Sequence, residues 1–203
     1  MKKLVPLIII LFVAAGMEAQ QNYTDFERIK LVRLEYKSGR IDMKARNPLP
    51  NEVNSSNQCA RYHRASSVLF DNIKFFLDGK MENVALFASY GSDALKIKLK
   101  VYTSAPPGTI IEIQLGKFSN LNYPMSVHSQ YQAVTTKQDE WEELEFTFSQ
   151  KPKGSIVKAA EIDQINILFA PNTKTNHNYF FDDLIGPMLI QKNISTGGKN
   201  QKP

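Results

Sequence analysis

The chain has little cysteine and lacks the common catalytic signatures. Cys59 is the only cysteine among 203 residues, so an internal disulfide is excluded and the core alone must stabilise the fold. Its strand-like surroundings predict a small buried hydrophobe. No Gly-x-Ser-x-Gly, His-Glu-x-x-His or phosphate-binding glycine loop occurs, and His63, His128 and His177 lack the spacing of metal ligands. These absences disfavour the enzyme classes that such motifs mark.

The part of the chain that we expect to fold has little net charge. The net charge is +5, but residues 1–19 contribute +1 and residues 191–203 contribute +3, which leaves +1 for residues 20–190. A nucleic-acid interface needs clustered basic residues, and the only ordered basic stripe is the three lysines within 96–100. We therefore expect no nucleic-acid partner.

Long apolar runs are confined to the N-terminus. Lys2 and Lys3 precede an apolar run over 4–15, and Ala19 fits a cleavage point. This arrangement predicts a secretory signal peptide over 1–19, because a spanning helix needs ~20 apolar residues; a membrane anchor is the alternative. No cysteine marks a lipoprotein. We expect a secreted or periplasmic protein without stable membrane insertion after cleavage.

The expected domain, residues 20–190, alternates apolar and polar residues with the period of β-strands. In 94–102, Leu95, Ile97, Leu99 and Val101 share one face. The polar composition of 191–203 predicts a flexible tail. Turn residues separate the alternating runs at the spacing of an all-β sandwich or barrel, with one helical turn near 84–87. We predict strands within 29–36, 58–64, 68–77, 94–102, 109–116, 127–133, 141–148, 162–169 and 179–185.

Three motifs, in their order along the chain, resemble a known family. They are an opening Asp-Phe-Glu at 25–27, a Trp-x-x-Leu-x-Phe-x-Phe strand at 141–148 and a closing Tyr-Phe-Phe-Asp-Asp strand at 179–183. Together they resemble jelly-roll carbohydrate-binding modules, which are galactose-binding-like β-sandwiches found beside polysaccharide-degrading enzymes. The run 128–136 resembles secreted modules of polysaccharide-utilising bacteria. The resemblance implies two packed antiparallel sheets, non-catalytic binding of polysaccharide or oligosaccharide, and neighbouring polysaccharide-degrading enzymes as partners.

The resemblance also implies a structural calcium ion. In such modules Ca²⁺ ties the opening segment to the last strand, and the matching residues here are Glu27 and Asp182, with Asp25 and Asp183 beside them. Ca²⁺ accepts carboxylates from remote segments. The alternative is that the two aspartates only end a strand.

Polar positions on the outward faces of neighbouring predicted strands supply a candidate sugar surface. Amides and acids hydrogen-bond vicinal hydroxyls, and an aromatic ring covers the apolar face of a pyranose. Alternation places Tyr131 on the other side, and Trp141 is expected to pack inside. A purely solvated face is the alternative. The predicted ligand-binding residues are Lys100, Tyr102, Glu112, Gln114, Tyr123, His128, Gln130 and Gln132.

A catalytic role is the main competing hypothesis. Glu140, Glu142 and Glu145 are spaced almost like the Glu-x-Asp-x-x-Glu of laminarinase-type glycosidases, which are also jelly rolls. Retaining hydrolysis needs two carboxyl groups ~5–5.5 Å apart, whereas alternation places Glu142 and Glu145 on opposite faces. We therefore predict no catalytic residues, with a glycoside hydrolase or lyase as the alternative. A cell-envelope adhesion or structural subunit is a third reading, which an exposed apolar patch would favour.

Overall fold

The computed structural model describes residues 19–190. The N-terminal segment 1–18 and the tail 191–203, and with them the predictions made for both, lie outside the described residues. The predicted all-β class is confirmed: residues 19–190 form thirteen strands and two 3₁₀ turns, without an α-helix. The strands are β1 Gln20–Thr24, β2 Val32–Lys37, β3 Arg40–Arg46, β4 Gln58–His63, β5 Asn72–Leu77, β6 Lys80–Met81, β7 Ile97–Thr103, β8 Ile110–Gly116, β9 Val127–Val134, β10 Trp141–Gln150, β11 Gln164–Phe169, β12 Asn178–Pro187 and β13 Leu189–Ile190, and the 3₁₀ turns are Val84–Leu86 and Ala159–Glu161.

Eleven of the strands form two antiparallel layers, which confirms the jelly-roll sandwich, and β6 pairs with β13 in a separate two-stranded sheet. The front sheet has the order β2-β5-β11-β8-β9 and ends on the second half of β10. The back sheet has the order β10-β7-β12-β4-β3, starting from the first half of β10, and β1 also pairs with β12. The strand β10 belongs to both layers because residues 141–146 pair with β7 and residues 147–150 pair with β9.

Aromatic side chains from both sheets meet in the core. Phe75 of the front sheet and Phe181 of the back sheet have ring centroids 6.5 Å apart. Phe169 of the front sheet is 5.6 Å from Phe181 and stacks on Tyr179 at 4.5 Å. All four rings are buried. Burial of such side chains stabilises the fold by roughly 1.5–3 kcal/mol each, so the alternating apolar positions seen in the sequence are what hold the two layers together.

Four strands of the described residues were absent from the sequence prediction, namely β1, β3, β6 and β13. The first, β1, is polar and pairs with the end of β12, Gln20 opposite Pro187. The second, β3, alternates apolar and polar residues, and that signal was missed. The strand predicted over 68–77 begins only at Asn72, and the one predicted over 29–36 begins at Val32. The helical turn predicted near 84–87 is confirmed as a 3₁₀ turn.

The segment 47–57, here called the cover segment, lies over the outer face of the back sheet. Trp141 Nε1 donates to Asn47 Oδ1 at 2.9 Å, and Asn54 Nδ2 donates to Asp182 Oδ2 at 3.0 Å. The indole is fully buried, as predicted, although it packs under this segment. Cys59 is buried as well, and burial raises the pKa of its thiol to about 12.

Within residues 19–190, no helix is both long and apolar enough to cross a bilayer.

Candidate functional site: a polar groove on the front sheet

The register of the front sheet aligns polar side chains across neighbouring strands. Gln114 of β8 lies opposite Gln130 of β9 and opposite Asn166 of β11. Asn166 in turn lies opposite Lys74 of β5. With strands about 4.8 Å apart, a row across six strands is about 24 Å long. The complete row is Tyr36, Lys74, Asn166, Gln114, Gln130 and Gln150.

A single carboxylate fixes the amides at the centre of this surface. Glu112 Oε1 accepts hydrogen bonds from Gln114 Nε2 at 2.8 Å and from Gln130 Nε2 at 2.7 Å, and its Oε2 accepts from Gln132 Nε2 at 2.8 Å. Glu112 is only 7% exposed. Hydrogen bonds to an ionised acceptor are the stronger kind. The three amide groups are therefore held in one orientation before any ligand arrives.

The network continues outward on both sides. Asn166 Nδ2 donates to Gln114 Oε1 at 2.9 Å, and Gln150 Nε2 donates to Gln130 Oε1 at 2.8 Å. The amide oxygens of Asn72 and Asn166, however, are buried without a hydrogen-bond partner among the described residues. A buried acceptor left without a donor costs roughly 1–3 kcal/mol. Both oxygens have almost no accessible surface, so a ligand hydroxyl reaches them only if the amide groups turn.

The four central residues of the polar row, Lys74, Asn166, Gln114 and Gln130, line a groove with a volume of about 410 Å³. Its walls include two aromatic rings, Phe70 and Tyr123, each 56% exposed. Rings that remain exposed beside fixed amides provide both kinds of contact that a pyranose makes. The residues lining the groove are Phe70, Asn72, Lys74, Glu112, Gln114, Tyr123, Gln130, Asn166, Leu168 and Pro171.

The structure brings most of the predicted ligand-binding residues to this surface. Glu112, Gln114, Tyr123 and Gln130 line the groove, and Gln132 reaches it through its bond to Glu112. The contribution of these residues to ligand binding stays a prediction that experiments must test.

His128 follows the same alternation of β9 as Gln130 but lies outside the groove lining. Its Nδ1 is 3.1 Å from Ser129 Oγ. Burial, with a smaller contribution from the charge of Lys151, lowers the pKa of this imidazole. His128 is therefore placed beside the groove as a neutral side chain near pH 7.

Lys100 and Tyr102 do not join the other predicted residues. Both belong to β7, whose neighbours are β10 and β12 in the back sheet, so their polar face is on the opposite side of the sandwich. Lys100 Nζ is 2.8 Å from Asp183 Oδ2, and the Tyr102 ring packs edge-on against Phe180 at 5.7 Å. The expectation that strands adjacent in sequence share one surface is wrong here because the chain changes sheet between β7 and β8.

Several groove residues were missed at the sequence level. Asn72 and Lys74 alternate with Ile73 and Phe75 in β5, so a signal for an outward polar face was present. Asn166 has the same signal in β11, but only the register places it beside Gln114. Phe70 and Pro171 come from loops, and no periodicity marks them.

The three glutamates of the catalytic alternative do not converge. Glu142 accepts hydrogen bonds from the backbone N–H groups of Thr136 and Lys137, which makes it a loop anchor. Glu140 pairs with Lys137 at 3.4 Å, and Glu145 pairs with Lys98 at 3.1 Å on the exposed side of β10. The alternation that separates Glu142 from Glu145 is present in the structure. These carboxylates are each engaged separately and lie outside the groove lining.

The carboxylates predicted to bind calcium contact the same short stretch of chain. Glu27 Oε1 accepts from the backbone N–H groups of Asn57 and Gln58 at 2.8 and 2.9 Å, and Asp182 accepts from Asn54. Among the described residues, no three His, Cys, Asp or Glu side chains are grouped so that they could hold a metal ion. Calcium binding by Glu27 and Asp182 therefore stays a prediction.

Two observations bear on that prediction. Burial raises the pKa of Asp182 to about 6, and the nearby charge of Asp183 adds to the shift. Asp183 itself is held by Lys100, and Asp25 accepts three backbone N–H bonds from Glu27, Arg28 and Ile29. Ca²⁺ accepts carboxylate oxygens as ligands, so the residue types fit, although in this structure these carboxylates are engaged in hydrogen bonds and an ion pair.

The chain was compared with known proteins at the levels of sequence and structure. No family model matches it, and no curated protein matches it in sequence. Similar solved structures include a family 11 carbohydrate-binding module from Clostridium thermocellum in complex with a β-1,3-1,4-mixed-linked tetrasaccharide. The match is 12% identical in sequence and covers 85% of this chain and 98% of the module, with a TM-score of 0.49.

Two further solved structures are similar to this chain. A family 30 carbohydrate-binding module of a cellulosomal cellulase of Clostridium thermocellum is 9% identical over 76% of this chain and 86% of its own, with a TM-score of 0.46. An agarase is 6% identical over 86% of this chain, which corresponds to 25% of the agarase, with a TM-score of 0.49. The matches include modules of the kind that the sequence motifs resemble. At these identities and TM-scores the similarity concerns the fold alone.

Proposed function

We propose that this protein is a secreted, non-catalytic carbohydrate-binding protein that captures a polysaccharide or oligosaccharide in the front-sheet groove. The observation that carries the proposal is the group of amides fixed by Glu112 in an open groove. Vicinal hydroxyls donate and accept hydrogen bonds, so they complement amide groups that offer both. The exposed rings of Phe70 and Tyr123 supply the apolar contacts.

The groove favours capture with little rearrangement. The three amides around Glu112 are already oriented by bonds of 2.7–2.8 Å, so a ligand does not have to immobilise them. Side chains that must be ordered on binding cost roughly 0.5–1.5 kcal/mol each. The groove also supports a non-catalytic role. Among residues 19–190, Glu112 is the only carboxylate that lines it, and this carboxylate already accepts hydrogen bonds from three amide groups.

The proposal is tested by isothermal titration calorimetry with mixed-linked β-1,3-1,4-glucan oligosaccharides and with agarose-derived oligosaccharides. We expect binding to at least one of them, weakened at least tenfold by Tyr123→Ala. The matched control is Leu49→Ala, because Leu49 is a comparably exposed apolar residue (46%) on the cover segment. No binding to either ligand by the folded protein would contradict the proposal. Reducing-sugar release would favour the glycoside hydrolase or lyase instead.

We also propose that Ca²⁺ is held by Glu27 and Asp182. Such an ion would neutralise a buried carboxylate and join the segment after β1 to β12. The contacts of both residues with 54–58 support their placement on one side of the molecule. Thermal melts in CaCl₂ and in EGTA test this, with MgCl₂ as the ionic control. A melting temperature that is identical in all three buffers would contradict it.

A further inference from the structure

Arg64 is a fully buried arginine that immediately follows β4. Its guanidinium makes seven hydrogen bonds of 2.6–3.2 Å, every one to a backbone carbonyl oxygen. A guanidinium has five N–H donors, so some of them are shared between two carbonyls. The acceptors are Ala65, Val68, Leu69, Phe169, Ala170, Thr173 and Thr175.

Six of these carbonyls belong to two loops that are far apart in sequence, and the seventh, that of Phe169, is at the end of β11. The first loop, residues 65–71, joins β4 to β5, and the second loop, residues 170–177, joins β11 to β12. The backbone N–H of Asn172 also donates directly to Leu69 O at 2.8 Å. A buried charge needs its full set of partners, since removing them is very costly. The positions of both loops are therefore coupled through one side chain.

The same two loops form one wall of the groove. Phe70 belongs to the first loop and Pro171 to the second, and both line the groove. Pro171 also lines a neighbouring cavity of about 280 Å³, together with Ile110 and His177. The second loop is thus a ridge between two cavities, and Arg64 lies beneath it.

We propose that Arg64 is a positioning residue for the carbohydrate groove. It touches no ligand, and it sets the spacing of Phe70 and Pro171 by holding the carbonyls of the loops that carry them. This inference rests on the proposed function for the identity of the ligand. Lysine keeps the charge but has a single nitrogen with three donors, so it cannot hold seven carbonyls from the same place.

The first test compares Arg64→Lys with Val101→Ala in the full chain. Val101 belongs to β7 of the back sheet and is buried in the core. Val101→Ala therefore loses core packing and changes neither loop. Both are titrated with the mixed-linked β-1,3-1,4-glucan tetrasaccharide at a temperature where both are folded, as reported by Trp141 fluorescence. We expect at least tenfold weaker binding for Arg64→Lys and a change within twofold for Val101→Ala. Equal affinity of Arg64→Lys and wild type would overturn the inference.

The second test needs no ligand. Hydrogen–deuterium exchange measured by mass spectrometry should be faster in both loops of Arg64→Lys and unchanged in the cover segment 47–57. Unchanged exchange in either loop would overturn the inference. If the wild-type protein binds no glycan, the proposed function fails, while faster exchange confined to both loops would still identify Arg64 as the residue that positions them.

A third variant keeps the inference testable if Arg64→Lys does not fold. One glycine inserted between Asn172 and Thr173 displaces the carbonyls of the ridge and leaves Arg64 in place. Asn172 already has a positive φ of 61°, so the insertion falls at a turn. We expect at least tenfold weaker binding of the tetrasaccharide. Unchanged binding would show that the ridge does not need its present position, which overturns the inference.

Discussion

The outer faces of the two sheets carry similar residues but differ in what lies over them. On the back sheet, the cover segment places Asn47 and Asn54 against Trp141 and Asp182, so polar groups there are satisfied within the protein. On the front sheet, the amide row lines an open groove, and two amide oxygens have no partner among the described residues. Composition alone therefore does not distinguish the two faces, whereas the cover segment on one and the open groove on the other do.

The largest expected effect concerns the centre of the front face. Glu112→Ala removes the acceptor of three amide donors and frees their side chains. We expect at least 100-fold weaker glycan binding, which is about 3 kcal/mol, measured by calorimetry. The control is Glu143→Ala, since Glu143 is an exposed glutamate of the back sheet paired with Lys98. An equal loss of glycan affinity in both variants would contradict the prediction that only the front sheet binds glycan.

The second prediction concerns the buried acid of the back face. Because the folded pKa of Asp182 is raised to about 6, its favourable contribution is complete below the unfolded pKa of ~3.9 and is lost as pH rises through 6. Relative to Asp182→Asn, the wild type should lose up to about 3 kcal/mol of unfolding free energy between pH 4 and pH 7. Urea unfolding in EGTA measures this. A difference that does not vary with pH would contradict it.

A smaller effect is expected where the cover segment meets the indole. Asn47→Ala leaves Trp141 Nε1 without its acceptor and removes the bond from Asn47 Nδ2 to Ser56 O. We expect a loss of about 2 kcal/mol in unfolding free energy and a red-shifted Trp141 emission. Glycan affinity should change less than twofold. A large loss of affinity would mean that the covered face takes part in binding.

The smallest effect is expected at Lys100, which the sequence placed among the ligand-binding residues. Lys100→Ala breaks the pair with Asp183, a partly exposed contact worth no more than about 1 kcal/mol. Glycan affinity measured by calorimetry should stay within twofold of wild type. Tenfold weaker binding would instead show that β7 takes part in the binding site.

Nine of the thirteen strands within residues 19–190 were predicted from the sequence, several of them because they bury alternate residues, as β7 does with Ile97, Leu99 and Val101. Alternation also places Glu112, Gln114, Gln130 and Gln132 on one face. It cannot say which strands become neighbours, so Asn166 and Lys74 were missed and Lys100 was misplaced. The loop residues Phe70 and Pro171 depend on Arg64, whose partners are backbone carbonyls. Backbone carbonyls carry no signature in the residue types.

The polar row from Tyr36 to Gln150 exists only in the folded protein. Its six side chains come from segments scattered over more than half of the chain, and only completed strand pairing brings them into line. The row is therefore complete only when all of these strands are paired in this register. Because a ligand that recognises only the finished sheet shifts the folding equilibrium by mass action, glycan would select intact molecules and protect them from unfolding.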